Sequence, residues 1–310
     1  MKSYRQDKFF FSISIAAVWF LLLILFLLVV AQLVMSWPSI RQFGFSFLWS
    51  NDWDPSAGHF GALSAIVGTL LTSVIASIFA VPISFCCAIL VTQILPGSLA
   101  AVISRIIELM AGIPSIIYGM WGLFILAPFM TTHILPHILN SLPNVPVINY
   151  IFRGLPIGVN IVTASIVLAL MIIPLITSIM RDIIANIPDP VFEAAYGIGA
   201  TRWEITNKII IHYTRAGLLG AVILGLGRAL GETMAVTFVI GGSHMLPIGL
   251  FMPGTTISAT IANEFNEATG VLYPSALVEL SIILVVITFI TLLISRYFLK
   301  RGTVRGGNVE

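Results

Sequence analysis

The sequence predicts an all-α membrane protein with six transmembrane helices. Of its 310 residues, 58% are hydrophobic and 9% are charged, and the mean hydropathy is +1.04. Soluble domains carry about 25% charged residues, so this chain has too little polar surface to fold in water alone. A helix needs about 20 apolar residues to cross the hydrocarbon region of a bilayer. Six segments reach that length, approximately Phe9–Met35, Leu63–Ile94, Ala111–Thr132, Val159–Met180, Ala216–Gly241 and Ser275–Ser295.

The first segment is predicted to remain in the protein as a membrane helix. Its uncharged stretch runs from Phe9 to Ile40, which exceeds the apolar core of about 7–15 residues typical of a removable signal peptide. The next three segments each contain a proline, which a membrane helix tolerates as a kink. These prolines are Pro82, Pro114 and Pro174.

The distribution of lysine and arginine predicts the orientation, because cytoplasmic loops collect these residues. If the N-terminus is cytoplasmic, 12 of the 15 basic residues fall on the inner side. Arg41 and Arg153 then fall outside, and Arg228 falls within the fifth segment. The reverse orientation would invert this ratio, so we expect both termini in the cytoplasm. The inner set is Lys2, Arg5, Lys8, Arg105, Arg181, Arg202, Lys208, Arg215, Arg296, Lys300, Arg301 and Arg305.

The chain is predicted to form one membrane domain without internal repeats. Residues 1–62 give the first helix and first outer loop, 63–297 a core of five spans with an inner loop at 181–215, and 298–310 a cytoplasmic tail. The first outer loop contains three tryptophans that fit an interfacial aromatic belt, Trp37, Trp49 and Trp53. The second, 131–158, has four prolines and is expected to be compact.

The inner loop is predicted to be a short helix, a sharp turn and a second helix. Asp189 is a good N-cap, and Pro190 suits the first helical position because no amide hydrogen is needed there. Gly197 and Gly199 mark the end of this helix, and the second helix starts near Thr201 and continues into the fifth segment. Two interpretations remain open: a connector lying on the membrane surface, or a docking element that a soluble partner holds and moves.

The loop also resembles the EAA loop of permease subunits of ABC importers. "EAAYGIG" is followed, nine residues later, by "IIIH". The chain departs from the family pattern at Ile211 and His212, where the family has leucine and proline. The resemblance implies the type I ABC importer permease fold and a short helix that inserts into a cytoplasmic ATPase subunit. It assigns this coupling role to Glu193, Ala194, Ala195 and Gly199.

The fifth segment contains an arginine and a glutamate that a membrane helix normally avoids. Arg228 and Glu232 are the only formal charges between Ala216 and Asn263, and each costs about 2.5–3.5 kcal/mol at mid-bilayer. Residues four apart share one helix face. One interpretation is a neutralised ion pair in a close-packed helix, with Gly227 and Gly231 at the contact.

The other interpretation is a weak anion site on a transport pathway. A guanidinium offers a planar fork of donors that suits an oxyanion. A neighbouring carboxylate would moderate the charge of Arg228, so that an anion could both enter and leave. The residues alone do not name the anion.

The strings "GLGRALGETMAV" and "GIPSIIYGMWGLF" are similar to the phosphate importer permeases of the PstC type. This resemblance implies that Arg228 and Glu232 serve phosphate passage by alternating access in a multi-pass protein of a bacterial inner (plasma) membrane. It also implies four kinds of partner besides the bilayer: a second, homologous permease subunit in a heterodimer, two cytoplasmic ATPase subunits, an extracytoplasmic phosphate-binding protein, and phosphate itself.

The sequence lacks the motifs of other function classes. No G-x-x-x-x-G-K-[ST] motif occurs, so ATP hydrolysis is expected on separate subunits, and we predict no enzymatic activity, cofactor, metal site or nucleic-acid partner. His133 and His137 have helical metal spacing but no evident third ligand. The alternatives are a permease for sulfate or molybdate, a carrier coupled to protons through Glu232, and a non-transporting scaffold.

Three charged residues outside these motifs receive simpler predictions. Glu279 lies near the outer end of the last span and is expected to be solvated at the membrane interface. Arg105 and Glu108 are expected at the inner start of the third span, where their side chains would extend to the interface.

Overall fold

The computed structural model describes residues 2–141, 152, 154–247 and 249–304, and Arg153 lies outside them. Among the described residues, six helices are long and apolar enough to cross a membrane, as predicted. Their bounds are Phe9–Phe43, Leu63–Ile94, Ser115–Leu139, Ile161–Ala185, Arg202–Leu230 and Leu272–Tyr297, numbered here as the first to the sixth span. We call the end of the bundle that carries residues 181–215 the loop side, and the opposite end the far side.

Several spans are built from consecutive helical pieces, some with π-helical turns between them. The α-helices are Lys2–Phe43, Ser46–Trp49, Leu63–Ile89, Gly97–Ala111, Ser115–Trp121, Ala127–Phe129, Leu135–Ser141, Ile161–Ala185, Asp189–Gly197, Arg202–Glu204, Ile211–Leu230, Met234–Ile240, Ile257–Glu264 and Leu272–Val304. The π-helical turns are Leu90–Ile94, Gly122–Leu126, Met130–Ile134 and Ile205–Ile210.

The fourth span is the centre of the main core. It starts where the Asn160 side chain accepts the backbone N–H of Thr163 at 3.0 Å, which satisfies one of the free donors at a helix start. Val167, Leu168 and Ile172 on this span are fully buried. Pro174 lies inside the helix without ending it, as expected. The second, third and fifth spans pack around this helix.

The first span lies at the edge of the bundle and packs against the sixth. Between Phe9 and Met35 most of its large apolar side chains are exposed, which suits a helix surrounded by lipid. Near its far end the backbone N–H of Ser39 donates to the Ser275 hydroxyl at 2.9 Å. A second apolar cluster around Phe47 and Phe60 fastens the loop that follows this span to the sixth.

The third span begins later than predicted, at Ser115 instead of Ala111, because a separate helix, Gly97–Ala111, precedes it. Pro114 causes the break, since proline lacks an amide hydrogen and disfavours a helical residue before it. Arg105 and Glu108 therefore lie on this separate helix, and their placement at the start of the third span was wrong. The Glu108 carboxylate accepts from the Arg181 guanidinium at 2.8 Å.

The fifth span runs from Arg202 to Leu230, so the predicted bounds Ala216 and Gly241 were both wrong. On the loop side the second loop helix and the span are continuous, with a π-helical turn between them. On the far side the helix ends at Leu230, and a short helix follows at Met234–Ile240. The chain then turns at Gly241 and Gly242, whose φ angles of +102° and +66° favour glycine.

Candidate anion pathway and docking loop

Arg228 lies in the last turn of the fifth span with an exposed side chain. Within the part of the chain that the structure describes, its guanidinium forms no hydrogen bond and no ion pair. No charged residue lies between Arg215 and Arg228, so we take Ala216 as the start of the apolar part of the helix. Arg228 is about 18 Å further along the helix than Ala216, at 1.5 Å per residue. The hydrocarbon layer is about 30 Å thick, so this position falls within it. An unpaired arginine there needs water or another subunit beside it.

Glu232 lies beyond the end of the helix that carries Arg228. Its Oε1 accepts the backbone N–H of Ala235 at 3.3 Å, in the first turn of the helix Met234–Ile240. The predicted helical spacing between Arg228 and Glu232 was therefore wrong, because the helix ends at Leu230. The described residues show no ion pair between the two side chains. Both charges instead flank a break in the helix.

The break itself is a chemical feature of the site. Residues 231–233 are not helical, yet they continue a span that is still within the membrane layer. Non-helical backbone at this depth is stable only inside protein or beside a water-filled cavity. Broken membrane helices commonly border substrate sites in transporters for this reason.

Two glycines in the third span hold the short helix Met234–Ile240 in place. A Cβ at Gly119 would lie 3.0 Å from the Ala235 Cα, and one at Gly122 would lie 2.9 Å from a Val239 methyl. Only glycine permits this close approach, which explains both glycines in "YGMWG". The third span thereby fixes the helix that Glu232 caps.

The glycines of the fifth span pack differently from the prediction. A Cβ at Gly225 would lie 2.5 Å from the Ile176 side chain, so the fifth span contacts the fourth there. Around Gly227, by contrast, no atom of the described residues lies within 4 Å of such a Cβ, and Gly231 is exposed. The described residues of this chain therefore give no support to the first interpretation, a close-packed helix with Gly227 and Gly231 at the contact. Those two glycines share an uncovered face with Arg228.

The inner loop at 181–215, called the docking loop below for the role that we propose for it, has the predicted helix–turn–helix form. The first helix is Asp189–Gly197, but Pro188 is its N-cap, so Asp189 and Pro190 each lie one position later than predicted. At its end, Gly199 has a φ angle of +85° and its N–H donates to the Tyr196 carbonyl at 2.9 Å. Thr201 and Glu204 then form a capping box that starts the second helix.

The structure places the four predicted coupling residues in different environments. Glu193, Ala194 and Gly199 are exposed. Ala195 is 5% exposed and belongs to the main core. The methyl group of Ala195 packs inside the chain, and the coupling role that the resemblance implies for the four residues stays a prediction. Ala195 fixes the helix that presents its neighbours.

Sequence reasoning missed the most exposed apolar residue of the loop. Ile198 is 88% exposed at the turn after the first loop helix. The sequence signal was the glycine on either side of it, which predicted the turn but not the direction of the side chain.

Ion pairs fasten the loop to the rest of the loop side. The Arg181 guanidinium donates to Glu108 at 2.8 Å and to Asp182 at 2.7 Å. Glu108 belongs to the helix Gly97–Ala111, so this arginine joins the end of the fourth span to a helix 73 residues earlier. The ion pair therefore holds the loop-side end of the fourth span against the helix Gly97–Ala111.

A polar cluster on the far side was not foreseen. The Glu264 carboxylate accepts from the Trp53 indole at 2.9 Å, from the Tyr273 hydroxyl at 2.6 Å and from the His244 ring at 2.6 Å. The Trp53 and His244 rings are also stacked. Burial raises the pKa of Glu264, but the hydrogen bonds from His244, Tyr273 and Trp53 outweigh this and hold it below its usual value. Trp53 thus packs within the chain, and its predicted place in an interfacial belt stays a prediction.

Glu279 is also placed differently from the prediction. It is 8% exposed and faces the helix that carries the first span, near Ser39. One of its oxygens, Oε2, has no hydrogen-bond partner among the described residues. The expected solvation at the interface was wrong, because the first span covers this part of the sixth.

Comparison with known proteins defines the class. The family of binding-protein-dependent transport system inner membrane components matches residues 80–303, and the chain belongs to this family. Its fold is that of a chain of a bacterial alginate ABC transporter solved with an alginate-bound periplasmic protein, with a TM-score of 0.64 over 97% of this chain and 96% of that chain at 16% identity. A chain of the inward-facing MetNI methionine ABC transporter matches with a TM-score of 0.57 over 77% of this chain and 94% of that chain, also at 16% identity.

Closer relatives narrow the family. The "Phosphate transport system permease protein PstC" of Mesorhizobium japonicum is 50% identical over 97% of this chain and 92% of its own length. The protein of the same name from Pasteurella multocida is 49% identical over 96% of this chain and 91% of its own length. A probable PstC of Methanocaldococcus jannaschii is 37% identical over 97% and 96%. Within the larger family, the chain belongs to the PstC permeases.

Proposed function

We propose that this chain is a permease subunit of an ATP-driven inorganic phosphate importer and forms half of the translocation pathway. The observation that carries the proposal is the unpaired Arg228 on an uncovered face of a membrane span. The names of its relatives supply phosphate as the substrate. A guanidinium can bind a phosphate oxygen pair with two parallel N–H donors.

The uncovered face supports an assembly of two permease subunits. Gly220, Leu224 and Gly227 line the fifth span beside Arg228 at helical spacing, and each is exposed or has open space beside it. Lipid is a poor neighbour for the arginine on this face. A second permease subunit, with water between the two, would give Arg228 a polar environment. Each subunit then contributes one wall of the pathway.

Glu232 has a modified role in this proposal. It caps a helix that the third span holds in place, so its carboxylate is a fixed negative charge beyond the helix break. Phosphate that meets Arg228 therefore also meets repulsion from Glu232. This balance keeps binding weak enough for release, which a pathway site requires.

The loop helix Asp189–Gly197 is the proposed contact for a cytoplasmic ATPase subunit. Glu193, Ala194 and Ile198 offer one acidic side chain and two apolar ones on the exposed surface. Buried Ala195 packs this helix against the bundle. ATP binding and hydrolysis on two such subunits would move the loop and alternate the access to Arg228. An extracytoplasmic phosphate-binding protein would deliver phosphate at the far side.

Phosphate uptake into proteoliposomes that contain the complete importer tests the pathway role. We expect Arg228→Ala to reduce uptake about 10- to 100-fold, which corresponds to the loss of a hydrogen bond to a charged group. Arg228→Lys is expected to recover only part of the activity, because a point charge replaces the fork. The matched control is Lys208→Ala, which removes one positive charge from the same span at its exposed loop-side end.

The same assay separates the alternatives. Uptake should stop when ATP hydrolysis is blocked and persist when the proton gradient is collapsed, which a proton-coupled carrier would contradict. Excess sulfate or molybdate should leave phosphate uptake unchanged, whereas a general oxyanion permease predicts competition. Normal uptake by the Arg228→Ala variant would refute the pathway role and leave a scaffold as the remaining interpretation.

A further inference from the structure

A cleft of 340 Å³ opens on the loop side between the ends of the second and fifth spans. Its walls are apolar and include Phe85, Ile89 and Ile94 of the second span and Ile205 of the fifth. This volume is within the range of small-molecule sites, about 300–1,000 Å³. An apolar cleft at the end of two membrane helices is open to an acyl chain of the surrounding lipid.

The rim of the cleft has a different chemistry from its walls. Arg202 and Trp203 line it at the start of the fifth span, and Trp203 is 74% exposed. In the part of the chain that the structure describes, the Arg202 guanidinium has no hydrogen-bond or ion-pair partner. The adjacent Glu204 does not neutralise it, because that carboxylate accepts from Thr201 and from Lys208.

The cleft lies where the second span leaves the membrane layer. That span carries no formal charge and ends at Ile94, whereas Arg202 belongs to the charged segment 202–215 of the fifth span and lies on the water side of the layer. Tryptophan is enriched at this interface, and arginine extends its charge towards headgroup phosphates. Basic pockets between membrane helices on the cytoplasmic side bind anionic headgroups. The distribution of lysine and arginine predicts that this side is cytoplasmic.

We propose that this cleft binds one anionic phospholipid, with an acyl chain against the walls and the headgroup phosphate on Arg202. The apolar walls disfavour a free phosphate ion, which would lose its hydration there without compensation. Charge complementarity favours an anionic over a zwitterionic lipid. Tyr196 of the loop helix also lines the cleft, so the bound lipid contacts the docking loop and the second span together.

Photocrosslinking tests this proposal in the complete importer embedded in lipid nanodiscs. Phosphatidylglycerol and phosphatidylcholine, each with a photoreactive acyl chain, are compared by mass spectrometry of the labelled peptides. We expect labelling at residues 85–94, with phosphatidylglycerol favoured about fivefold, since one basic residue near an anionic headgroup contributes about 1 kcal/mol. Arg202→Gln should remove this preference, and Arg202→Lys should retain most of it.

Arg105→Gln provides the matched control. It removes an exposed positive charge from the loop side, but Arg105 does not line this cleft, so the preference should remain about fivefold. Equal labelling by both lipids would overturn the proposal, as would a preference that Arg202→Gln leaves intact. Failure of either lipid to label residues 85–94 would also overturn it, because another protein surface would then occupy the cleft.

A fluorophore on Cys86 gives a second measurement. Cys86 is exposed and lines the cleft, and Cys87→Ser confines the label to it. Brominated phosphatidylglycerol should quench this label more strongly than brominated phosphatidylcholine in the parent chain, but equally in the Arg202→Gln variant. Equal quenching in both chains would count against a headgroup site at Arg202.

Discussion

The fourth and fifth spans are neighbours in the core, yet they expose very different surfaces. The fourth is covered on most sides, and its residues Val167, Leu168 and Ile172 are fully buried. The fifth contacts the fourth through Gly225, but its other face carries exposed Leu224 and Arg228. The fourth span therefore supports the fold of this chain, whereas the fifth leaves one face uncovered within the chain, where we propose that a second subunit packs.

The glycines on the fifth span make the same distinction at single-residue scale. Gly225 lies where a side chain would collide with Ile176, and Gly227, half a turn away, has open space. Glycine in a helix costs about 1 kcal/mol relative to alanine. The contact with the fourth span accounts for Gly225, and the proposed pathway accounts for Gly227, since a small residue there leaves room beside Arg228.

The largest expected effect that separates the two spans comes from truncating a buried side chain. Ile172→Ala should destabilise the chain by about 2–5 kcal/mol, because it leaves a cavity in the core. Leu224→Ala, on the exposed face of the fifth span, should change the stability of the chain by about 0.5 kcal/mol or less. Thermal unfolding of the detergent-purified chain measures both. Equal losses would show that the fifth span is as covered as the fourth.

A smaller effect is expected from filling the two glycines. Gly225→Val should cost about 1–3 kcal/mol, because the added side chain meets buried Ile176. Gly227→Val has space within this chain and should unfold at nearly the parent temperature. In the full importer, however, it should reduce phosphate uptake, since it narrows the surface beside Arg228. Parent-like uptake by Gly227→Val would separate Gly227 from the pathway.

Hydropathy and charge alone predicted the six spans. Local signals also sufficed for the docking loop, where the proline, glycine and capping residues are close in sequence and set the backbone directly. The ends of the fifth span escaped prediction because apolar residues continue through Met234–Ile240, so hydropathy does not register the break at Gly231. The predicted helical spacing between Arg228 and Glu232 was wrong because of this break alone.

Long-range contacts set the remaining features. Trp53 lies 211 residues from Glu264, and no local pattern joins them. Ala195 matched a family motif, but its burial depends on the packing of the whole core. Glu279 is close to the end of its span in sequence, and only the position of the first span places it in the interior. A motif thus identified the important segment, while tertiary packing decided which of its side chains remain accessible.

The smallest expected effect concerns the polar cluster around Glu264 on the far side. The hydrogen bonds to Glu264 lower its pKa in the folded chain. The stability that they contribute is therefore complete above the unfolded pKa, about 4.3, and is lost as the pH falls through the lower folded value. Unfolding temperature should be insensitive to this group between about pH 5 and 7 and should fall below about pH 4.

Glu264→Gln should remove the acid-dependent loss of stability that this carboxyl group causes. It should also lower the free energy of unfolding by about 1 kcal/mol at neutral pH, because the amide accepts more weakly from His244, Tyr273 and Trp53. Glu267→Gln, at an exposed position three residues later, is the matched control and should retain the parent pH profile. If the two variants lose stability equally in acid, the cluster does not fasten the first far-side loop. If only Glu264→Gln differs, polar contacts hold the far-side segments around Trp53, His244 and Tyr273 together, unlike the apolar core around the fourth span.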